Sequence, residues 1–429
     1  MLTLSRCRAL HPRVQSWRSL VHYSVSRRYH DSKGREVEPL RILYCGSDEF
    51  SVSSLHRLTK AHKEDADFIE SIDVVCKTAK RYGRGLKSIY ESPLKAYAER
   101  RNLPVHPIST FTGWKPADAT RRNINLIIAV SFGLFVPPRI LNAARYGGLN
   151  IHPSLLPALR GPAPIHHTLI QNLRRTGVSL CTLDPKHFDH GQVLRQETLE
   201  VPEASMDSYN ALQQYLAPRG GELLVNGLRD GCFMKPLETV RSLPEASHAP
   251  KLSADASWIQ WSTWSTSHIL RMQKLLSTLR SNWKGSRNQD IPVRFHELQH
   301  VASINTPNEA CQPGQLKLYW TQDKDHWVDM TTRHLTQAHK ATSFNPDLKL
   351  KWVAENLPGS YIKVGKLSQP AIAGVWTRDG DFFTFRGLGI RDRQEITGSA
   401  KALRALWDTS GMTEGLLLSG PSTASDSKS

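Results

Sequence analysis

Short apolar runs alternate with helical segments over residues 40–240. Residues 41–45, 73–76 and 125–130 are such runs, and short, continuous apolar runs are typical of parallel strands that are covered on both faces. Between the second and third runs, residues 92–101 show a helical pattern with proline at the first helical position. This order of strand, helix and strand predicts a doubly wound, Rossmann-like α/β domain over residues 39–245.

The pattern changes at about residue 246. Nine of the eleven tryptophans lie beyond residue 250, and residues 371–376 and 382–385 are β-prone runs. Closely spaced strands with glycine-containing turns predict a smaller, OB-like β-barrel domain over residues 246–415. Residues 285–345 show no clean period and are expected to form insertions or long loops. The polar residues at the end predict a disordered tail over residues 416–429.

Composition and charge narrow the class of protein. No apolar run reaches the roughly 18 residues that a membrane-spanning helix needs, so no membrane partner is expected. The six cysteines form no CxxC pair, which argues against a disulfide framework and against a metal site. The formal net charge of +17 at pH 7 favours a polyanionic partner.

Residues 1–38 are predicted to be a mitochondrial presequence, with the mature protein in the matrix. Residues 1–30 contain six arginines, five serines and no acidic residue, which is the composition of a transit peptide. The alternative is a basic, disordered tail that binds a partner. Loss of the six arginines would leave a net charge of +11, so the remaining chain would still favour a polyanion.

The turn after the first strand does not fit dinucleotide binding. Residues 46–50 contain one glycine in place of G-x-G-x-x-G, and Asp48 and Glu49 would repel a pyrophosphate there. These residues argue against an NAD-dependent oxidoreductase. Ser47 or Asp48 is predicted to cap the following helix instead.

The candidate chemistry is concentrated in residues 147–192. Asn150 and His152 are two residues apart, so on a strand their side chains share one face. Such a pair suits acyl transfer, because the amide can donate to a developing oxyanion and the imidazole can move a proton. Asp189, in a turn with Gly191, is predicted to approach and orient the imidazole.

Three motifs carry a resemblance to a known family. They are Asn-Ile-His-Pro-Ser-Leu-Leu-Pro at 150–157, Arg-Gly-Pro-Ala-Pro at 160–164 and Phe-Asp-His-Gly at 188–191. With them, residues 40–215 resemble the methionyl-tRNA formyltransferases. The resemblance implies that the α-amine of methionyl initiator tRNA attacks the formyl carbon of 10-formyltetrahydrofolate. It also implies that Asn150 and His152 stabilise the tetrahedral oxygen, while Asp189 tunes His152 or helps to relay the amine proton.

The same resemblance implies two sets of binding residues. The folate-binding loop contains Ser154, Leu155, Leu156 and Pro157, although core packing is the alternative for the two leucines. A basic loop that reaches the acceptor end of the tRNA contains Arg81, Arg84 and Lys87. For this loop the alternative is an ordinary solvated surface.

Departures from the family pattern leave alternatives open. The turn that contains Asp189 is one residue longer than in bacterial relatives, which makes Asp184 a rival. Ser47-Asp48 replaces the usual Thr-Pro, and Pro153 replaces a glycine. The alternative functions are formylation of a small amine, such as a glycinamide nucleotide or an amino sugar, and non-catalytic RNA binding. A monomer is expected.

Overall fold

The protein is described by a computed structural model. The described residues are 29–115, 123–240, 244–284, 290–301, 316–323, 326–329, 361–364, 367–376, 379, 381–390, 396–397, 406 and 417–418. Residues 1–28 of the predicted presequence and most of the predicted tail lie outside them.

The amino-terminal half consists of a central sheet with helices on both faces and two small hairpins. Its strands are β1 (Tyr29–His30), β2 (Glu36–Val37), β3 (Leu40–Gly46), β4 (Ile69–Lys77), β5 (Lys80–Tyr82), β6 (Ser88–Tyr90), β7 (Val105–Ile108), β8 (Leu126–Val130), β9 (Gly148–His152), β10 (Arg175–Thr182) and β11 (Val193–Glu200). Its helices are α1 (Glu49–Glu64), α2 (Pro93–Arg100), α3 (Pro138–Leu141), α4 (Pro164–Ile170) and α5 (Tyr209–Arg229).

The central sheet has seven strands in the order β11-β10-β9-β8-β3-β4-β7. The five strands from β9 to β7 are parallel to their neighbours, which confirms the predicted α/β class. Each predicted run at 41–45, 73–76 and 125–130 forms a strand, and residues 93–100 form the predicted helix. The antiparallel pairing of β10 with β9 and β11 does not follow from the sequence pattern.

The order of the strands creates a crevice at one edge of the sheet. From β3 the chain passes to β4 and β7 on one side, and then returns to β8 on the other side of β3. Connections therefore diverge between the carboxyl ends of β3 and β8, and open α/β sheets bind their ligands at such a point. The Ser47 hydroxyl donates to the Phe132 carbonyl across this crevice, at 3.3 Å.

Helices α1 and α5 pack on one face of the sheet and complete the larger core. Leu55 and Leu58 of α1, and Leu216 and Leu224 of α5, are fully buried, and burying each stabilises the fold by about 1.5–3 kcal/mol. The helix α1 begins where the sequence predicts, because the Asp48 carboxylate accepts a hydrogen bond from Ser51 N at 3.0 Å.

The hairpin of β1 and β2 lies within the residues that the composition assigns to the presequence. Val37 is buried and packs into the core. The Arg35 guanidinium donates to the carbonyl of Gly231, beyond the end of α5, at 3.0 Å. Residues 29–38 thus pack against the folded domain in this structure, and the end of the presequence stays a prediction.

The carboxyl-terminal half is an antiparallel sheet with one long helix. Its elements are α6 (Thr266–Leu276), β12 (Thr278–Lys284), β13 (Asp290–Val301), β14 (Leu316–Asp323), β15 (His326–Asp329), β16 (Tyr361–Val364), β17 (Leu367–Trp376), β18 (Phe382–Ile390), β19 (Ile396–Thr397) and β20 (Leu417–Leu418). The main path of the sheet runs β15-β14-β17-β18-β13-β12-β20. Closure of this sheet into a barrel stays a prediction.

One expectation about this half is wrong. Residues 290–301, 316–323 and 326–329 form strands, whereas the lack of a clean period predicts loops over residues 285–345. The period of two that is typical of a strand is present in β13, where buried Ile291, Val293 and Phe295 alternate with less buried residues. Near the start of the predicted tail, β20 pairs with β12, and the other residues of the tail lie outside the described residues. No helix in the described part of the chain is long and apolar enough to cross a membrane.

Phe295 is the residue that we expect to dominate the stability of the second core. It is fully buried, and its ring packs edge-to-face against Trp261 and Phe385, at centroid distances of 6.0 and 5.4 Å. Phe295→Ala should lower the free energy of unfolding by about 3–5 kcal/mol, measured by chemical denaturation. Phe295→Leu, which fills more of the space, should cost less. Equal stability of all three proteins would contradict this core.

Candidate active site

A cavity of about 520 Å³ opens at the carboxyl ends of β3, β8 and β9. One wall is mostly apolar and is formed by Phe132, Leu134, Phe135, Val136, Leu183 and Phe188. The polar residues that line the cavity are Asp48, Ser131, Asn150, His152, Arg160, His166, Thr182, Asp184, His187, Asp189, His190, Tyr209 and His248. This is the crevice that the topology of the sheet creates.

The strand β9 brings Asn150 and His152 to the cavity together. Both line it. Ile151 between them also contributes to the lining, but its side chain is buried in the core. The alternation of a strand therefore places the two polar side chains on one face, as the sequence predicts. His152 is itself 5% exposed, so its imidazole is largely shielded from bulk water.

Asp189 touches both of these side chains with one carboxylate oxygen. Its Oδ1 accepts a hydrogen bond from Asn150 Nδ2 at 3.2 Å and lies 3.4 Å from His152 Nδ1. Its Oδ2 accepts a hydrogen bond from the backbone N–H of Gly161 at 3.0 Å. The structure thus joins the three residues proposed from the sequence into one cluster.

The loop that presents Asp189 is held in an uncommon backbone conformation. Asp189 has φ of 57°, in the left-handed region where non-glycine residues are strained. Arg160 Nε donates to the Asp189 carbonyl at 3.0 Å, and Gly161 binds the carboxylate. The motif at 160–164 therefore fixes Asp189, which is a role that spacing alone does not reveal.

The hydrogen bonds of His152 determine where its protons lie. Its Nε2 is 3.0 Å from the Leu159 carbonyl, and because a carbonyl oxygen can only accept, this nitrogen carries a hydrogen. Its Nδ1 faces the Asp189 carboxylate. A proton that arrives at Nδ1 would therefore lie between imidazole and carboxylate, which suits general acid–base chemistry.

Asn150 has a second amide hydrogen, and its partner binds it weakly. The amide nitrogen lies 3.8 Å from Cys181 Sγ, and sulfur is a weak acceptor. Burial raises the pKa of the Cys181 thiol to about 12, so the thiol stays protonated at neutral pH. The amide hydrogen can therefore be given up to a developing oxyanion at small cost.

Asp184 lies nearby but has a different set of partners. Its Oδ1 accepts hydrogen bonds from the backbone N–H groups of Lys186 and His187, both at 2.8 Å. These two bonds lower the pKa of Asp184. Asp184 therefore caps its turn, and the geometry favours Asp189 as the partner of His152.

The four predicted folate-loop residues lie behind the cavity, and none is among the residues that line it. The Ser154 hydroxyl donates to the Ala158 carbonyl at 2.7 Å, and Ser154 is 1% exposed. Leu156 packs in a small core with Cys181 and Val193. Ser154 and Leu156 are therefore held by internal contacts of the protein. Contact of the four residues with folate stays a prediction.

No sequence motif marks the apolar residues of the cavity wall as a binding surface. Residues 131–136 follow β8 directly and all line the cavity. Their position after a strand at the point where connections diverge is the available signal. His166 of α4 and Tyr209 of α5 also reach the cavity, and no local motif marks them.

The predicted basic loop forms the hairpin of β5 and β6. Arg81 and Lys87 are exposed on it, and Arg84 begins the turn between its strands. Three apolar side chains are also exposed there, with 57% of Leu86, 58% of Ile89 and 53% of Tyr90 accessible to solvent. A basic hairpin with exposed apolar side chains can contact both the phosphates and the bases of a nucleic acid.

The described residues contain no group of three or more His, Cys, Asp or Glu side chains that could hold a metal ion.

Comparison with known proteins identifies the class. Residues 40–228 match the family model described as formyl transferase. The chain is 28% identical over 356 residues to the mitochondrial methionyl-tRNA formyltransferase of Bos taurus, across 79% of this chain and 86% of the relative. Identity to that of Rattus norvegicus is 32% over 337 residues, across 76% of this chain and 83% of the relative. A methionyl-tRNA formyltransferase of Wolbachia is 35% identical over 214 residues, across 50% of this chain and 68% of the relative.

These matches define the amino-terminal half as a formyl transferase domain, with the cluster of three residues inside the matched segment. The relatives also extend over much of the carboxyl-terminal half. The chain belongs to the methionyl-tRNA formyltransferase family, which confirms the resemblance found in the sequence.

Gly191, next to the Asp189 turn, packs closely against the backbone of Thr182. A Cβ at this position would lie 1.7 Å from the Thr182 carbonyl oxygen, so the backbone would have to shift. Gly191→Ala should therefore lower the free energy of unfolding by about 1–3 kcal/mol, measured by thermal unfolding. Gln192→Ala, at the exposed neighbour, is the control and should be neutral. A neutral Gly191→Ala would refute this packing.

Proposed function

We propose that this protein transfers the formyl group of 10-formyltetrahydrofolate to the α-amino group of methionyl initiator tRNA, for translation initiation in mitochondria. The matrix is the proposed compartment. The observation that carries the proposal is the cluster of Asn150, His152 and Asp189 beside the cavity, in a chain of this family. The test is formation of formyl-methionyl-tRNA by the purified protein without residues 1–28.

The formyl donor fits the apolar part of the cavity. A volume of about 520 Å³ is in the range of small-molecule sites. Phe135 and Phe188 meet edge-to-face at the wall, with ring centroids 5.3 Å apart, and can pack against a flat heterocycle. The wall lies beside β9, so a donor bound there would present its formyl group to Asn150 and His152.

The reaction needs one new bond and two proton transfers. The amine nitrogen bonds to the formyl carbon, and the carbonyl oxygen becomes an oxyanion. Asn150 Nδ2 stabilises this oxyanion together with a hydrogen on His152 Nδ1, the imidazole nitrogen that does not face the Leu159 carbonyl. The bond from this carbon to N10 of the folate then breaks. N10 takes up a proton, and the amine loses one. His152, with Asp189 on its Nδ1, is the group that we propose to carry this proton.

The position of Asp189 suits a role in the transition state rather than in binding. Its carboxylate orients both the amide and the imidazole, with Oδ1 3.2 Å from Asn150 Nδ2 and 3.4 Å from His152 Nδ1. A proton held between His152 and Asp189 can pass to the leaving nitrogen. Asp189 acts in this proposal as a positioning residue, while Asn150 and His152 meet the reacting atoms.

The tRNA is proposed to bind through electrostatic attraction over two regions. The whole chain carries +17 and still +11 without its first six arginines. We propose that the β5–β6 hairpin contacts the acceptor end through Arg81, Arg84 and Lys87, and that residues 246–415 form a barrel that binds the rest of the tRNA. Each phosphate neutralised by a lysine or arginine releases counterions, so affinity depends steeply on salt.

Substitution of the two aspartates separates their roles. Asp189→Asn should lower the single-turnover rate of formylation by about 100-fold or more, with little change in substrate binding. Asp184→Asn should leave the rate per folded molecule nearly unchanged, because asparagine can still cap the turn. Melting temperatures of both variants show whether they are folded. An inactive Asp184→Asn beside an active Asp189→Asn would reverse the assignment.

The salt dependence of tRNA binding tests the hairpin. Changing Arg81, Arg84 and Lys87 to alanine should make the plot of log affinity against log salt less steep. Its slope should fall in magnitude by about 0.7–0.9 for each phosphate that the protein no longer neutralises. Affinity for the folate should not change. The matched control removes three exposed charges elsewhere, at Lys60, Lys63 and Arg100. If both triple variants have the slope of the wild type, the hairpin is only a solvated surface.

A further inference from the structure

Asp48 lines the same cavity, and the proposed reaction does not use its carboxylate. It lines the cavity directly after β3, while the reacting cluster lies at the end of β9. Gly46 of β3 pairs with Val130 of β8, which pairs with Ile151 of β9. Because adjacent strands are about 4.8 Å apart, the backbone positions of the two ends are separated by about 10 Å.

The surroundings of Asp48 form a polar end of the cavity. Its carboxylate is hydrogen-bonded to the Ser131 side chain, and Tyr209 lines the same end. Burial, followed by the charge of Asp48, raises the pKa of the Tyr209 phenol to about 12, so its hydroxyl keeps its proton. His166 lies against the Tyr209 ring, with centroids 4.5 Å apart.

Capping of α1 does not by itself explain a carboxylate here. One oxygen, Oδ1, caps the helix by accepting from Ser51 N. Serine and asparagine cap helices as well as aspartate does and would bring no charge to this half-buried position. Burial raises the pKa of Asp48, and the hydrogen bonds from Ser51 N and the Ser131 side chain oppose that rise. The carboxyl group lines a cavity that a substrate has to enter.

The chemistry of this end selects what it can bind. A carboxylate repels phosphate but accepts hydrogen bonds from hydroxyl groups, as acidic residues do with ribose in other α/β proteins. In the proposed reaction the α-amine lies at Asn150 and His152. The next polar donor along the substrate is the free hydroxyl of the terminal ribose, next to the ester and a few bonds from the amine.

We propose that Asp48, with Ser131 and Tyr209, binds the free 2′-hydroxyl of the terminal ribose of the aminoacyl-tRNA. This inference rests on the proposed function and adds a specificity-determining subsite to it. The subsite fixes the position of the ribose relative to Asn150 and His152, so it directs the amine to the formyl carbon. It also recognises RNA, because the 2′-hydroxyl is the group that DNA lacks.

The test compares two substrates with two proteins. The substrates are methionyl-tRNA and the same tRNA ending in 2′-deoxyadenosine, with methionine on the 3′-oxygen. Asp48→Ser keeps a helix cap and withdraws the carboxylate from the cavity. In the wild type, loss of the hydroxyl should lower kcat/KM by about 10-fold to 100-fold, the range for a hydrogen bond to a charged group. With normal tRNA, Asp48→Ser should show an equally large fall in kcat/KM. With the deoxy substrate, the same variant should show no further fall.

Glu49→Gln is the matched control. It removes the neighbouring carboxylate of the same helix turn, which is exposed and does not line the cavity, and should leave both substrates unaffected. Melting temperature and folate affinity of Asp48→Ser should match the wild type. If the falls in kcat/KM caused by the substitution and by the deoxy substrate are additive, the inference is wrong. It is also wrong if the wild type formylates both substrates equally well. A wild type that formylates neither would overturn the proposed function itself.

Discussion

The site depends on a single carboxylate that several donors share. Asp189 accepts from the Asn150 amide and from the Gly161 backbone, and it faces the His152 imidazole. These contacts hold a side chain from β9, a loop after it and the turn before β11 in one arrangement. Without that shared acceptor, the amide would keep only its weak contact with Cys181 and the imidazole only its bond to the Leu159 carbonyl, so both would be positioned less precisely for a reacting carbon.

The topology of the sheet explains why these groups meet in one crevice. The connections that follow β3 and β8 lead to opposite sides of the sheet, which leaves a crevice between the carboxyl ends of these strands. The residues that follow β3, β8 and β9 line this crevice, and they include both polar and apolar side chains.

The sequence could predict what depends on short-range pattern. The strands at 41–45, 73–76 and 125–130, the cap at Asp48 and the shared face of Asn150 and His152 all follow from periods of two and from local hydrogen bonding. The identity of the carboxylate partner could not be decided this way, because Asp184 and Asp189 lie in one turn. The contacts with Arg160 and Gly161 that distinguish them come from a loop almost thirty residues away in the chain.

The amino-terminal hairpin has a mechanical consequence. Tyr29 begins a strand that is tied to the end of α5, so a pulling force applied at Tyr29 would load the hairpin first. Because each strand of the hairpin has only two residues, the hairpin would peel away from the end of α5 before the central sheet bears force.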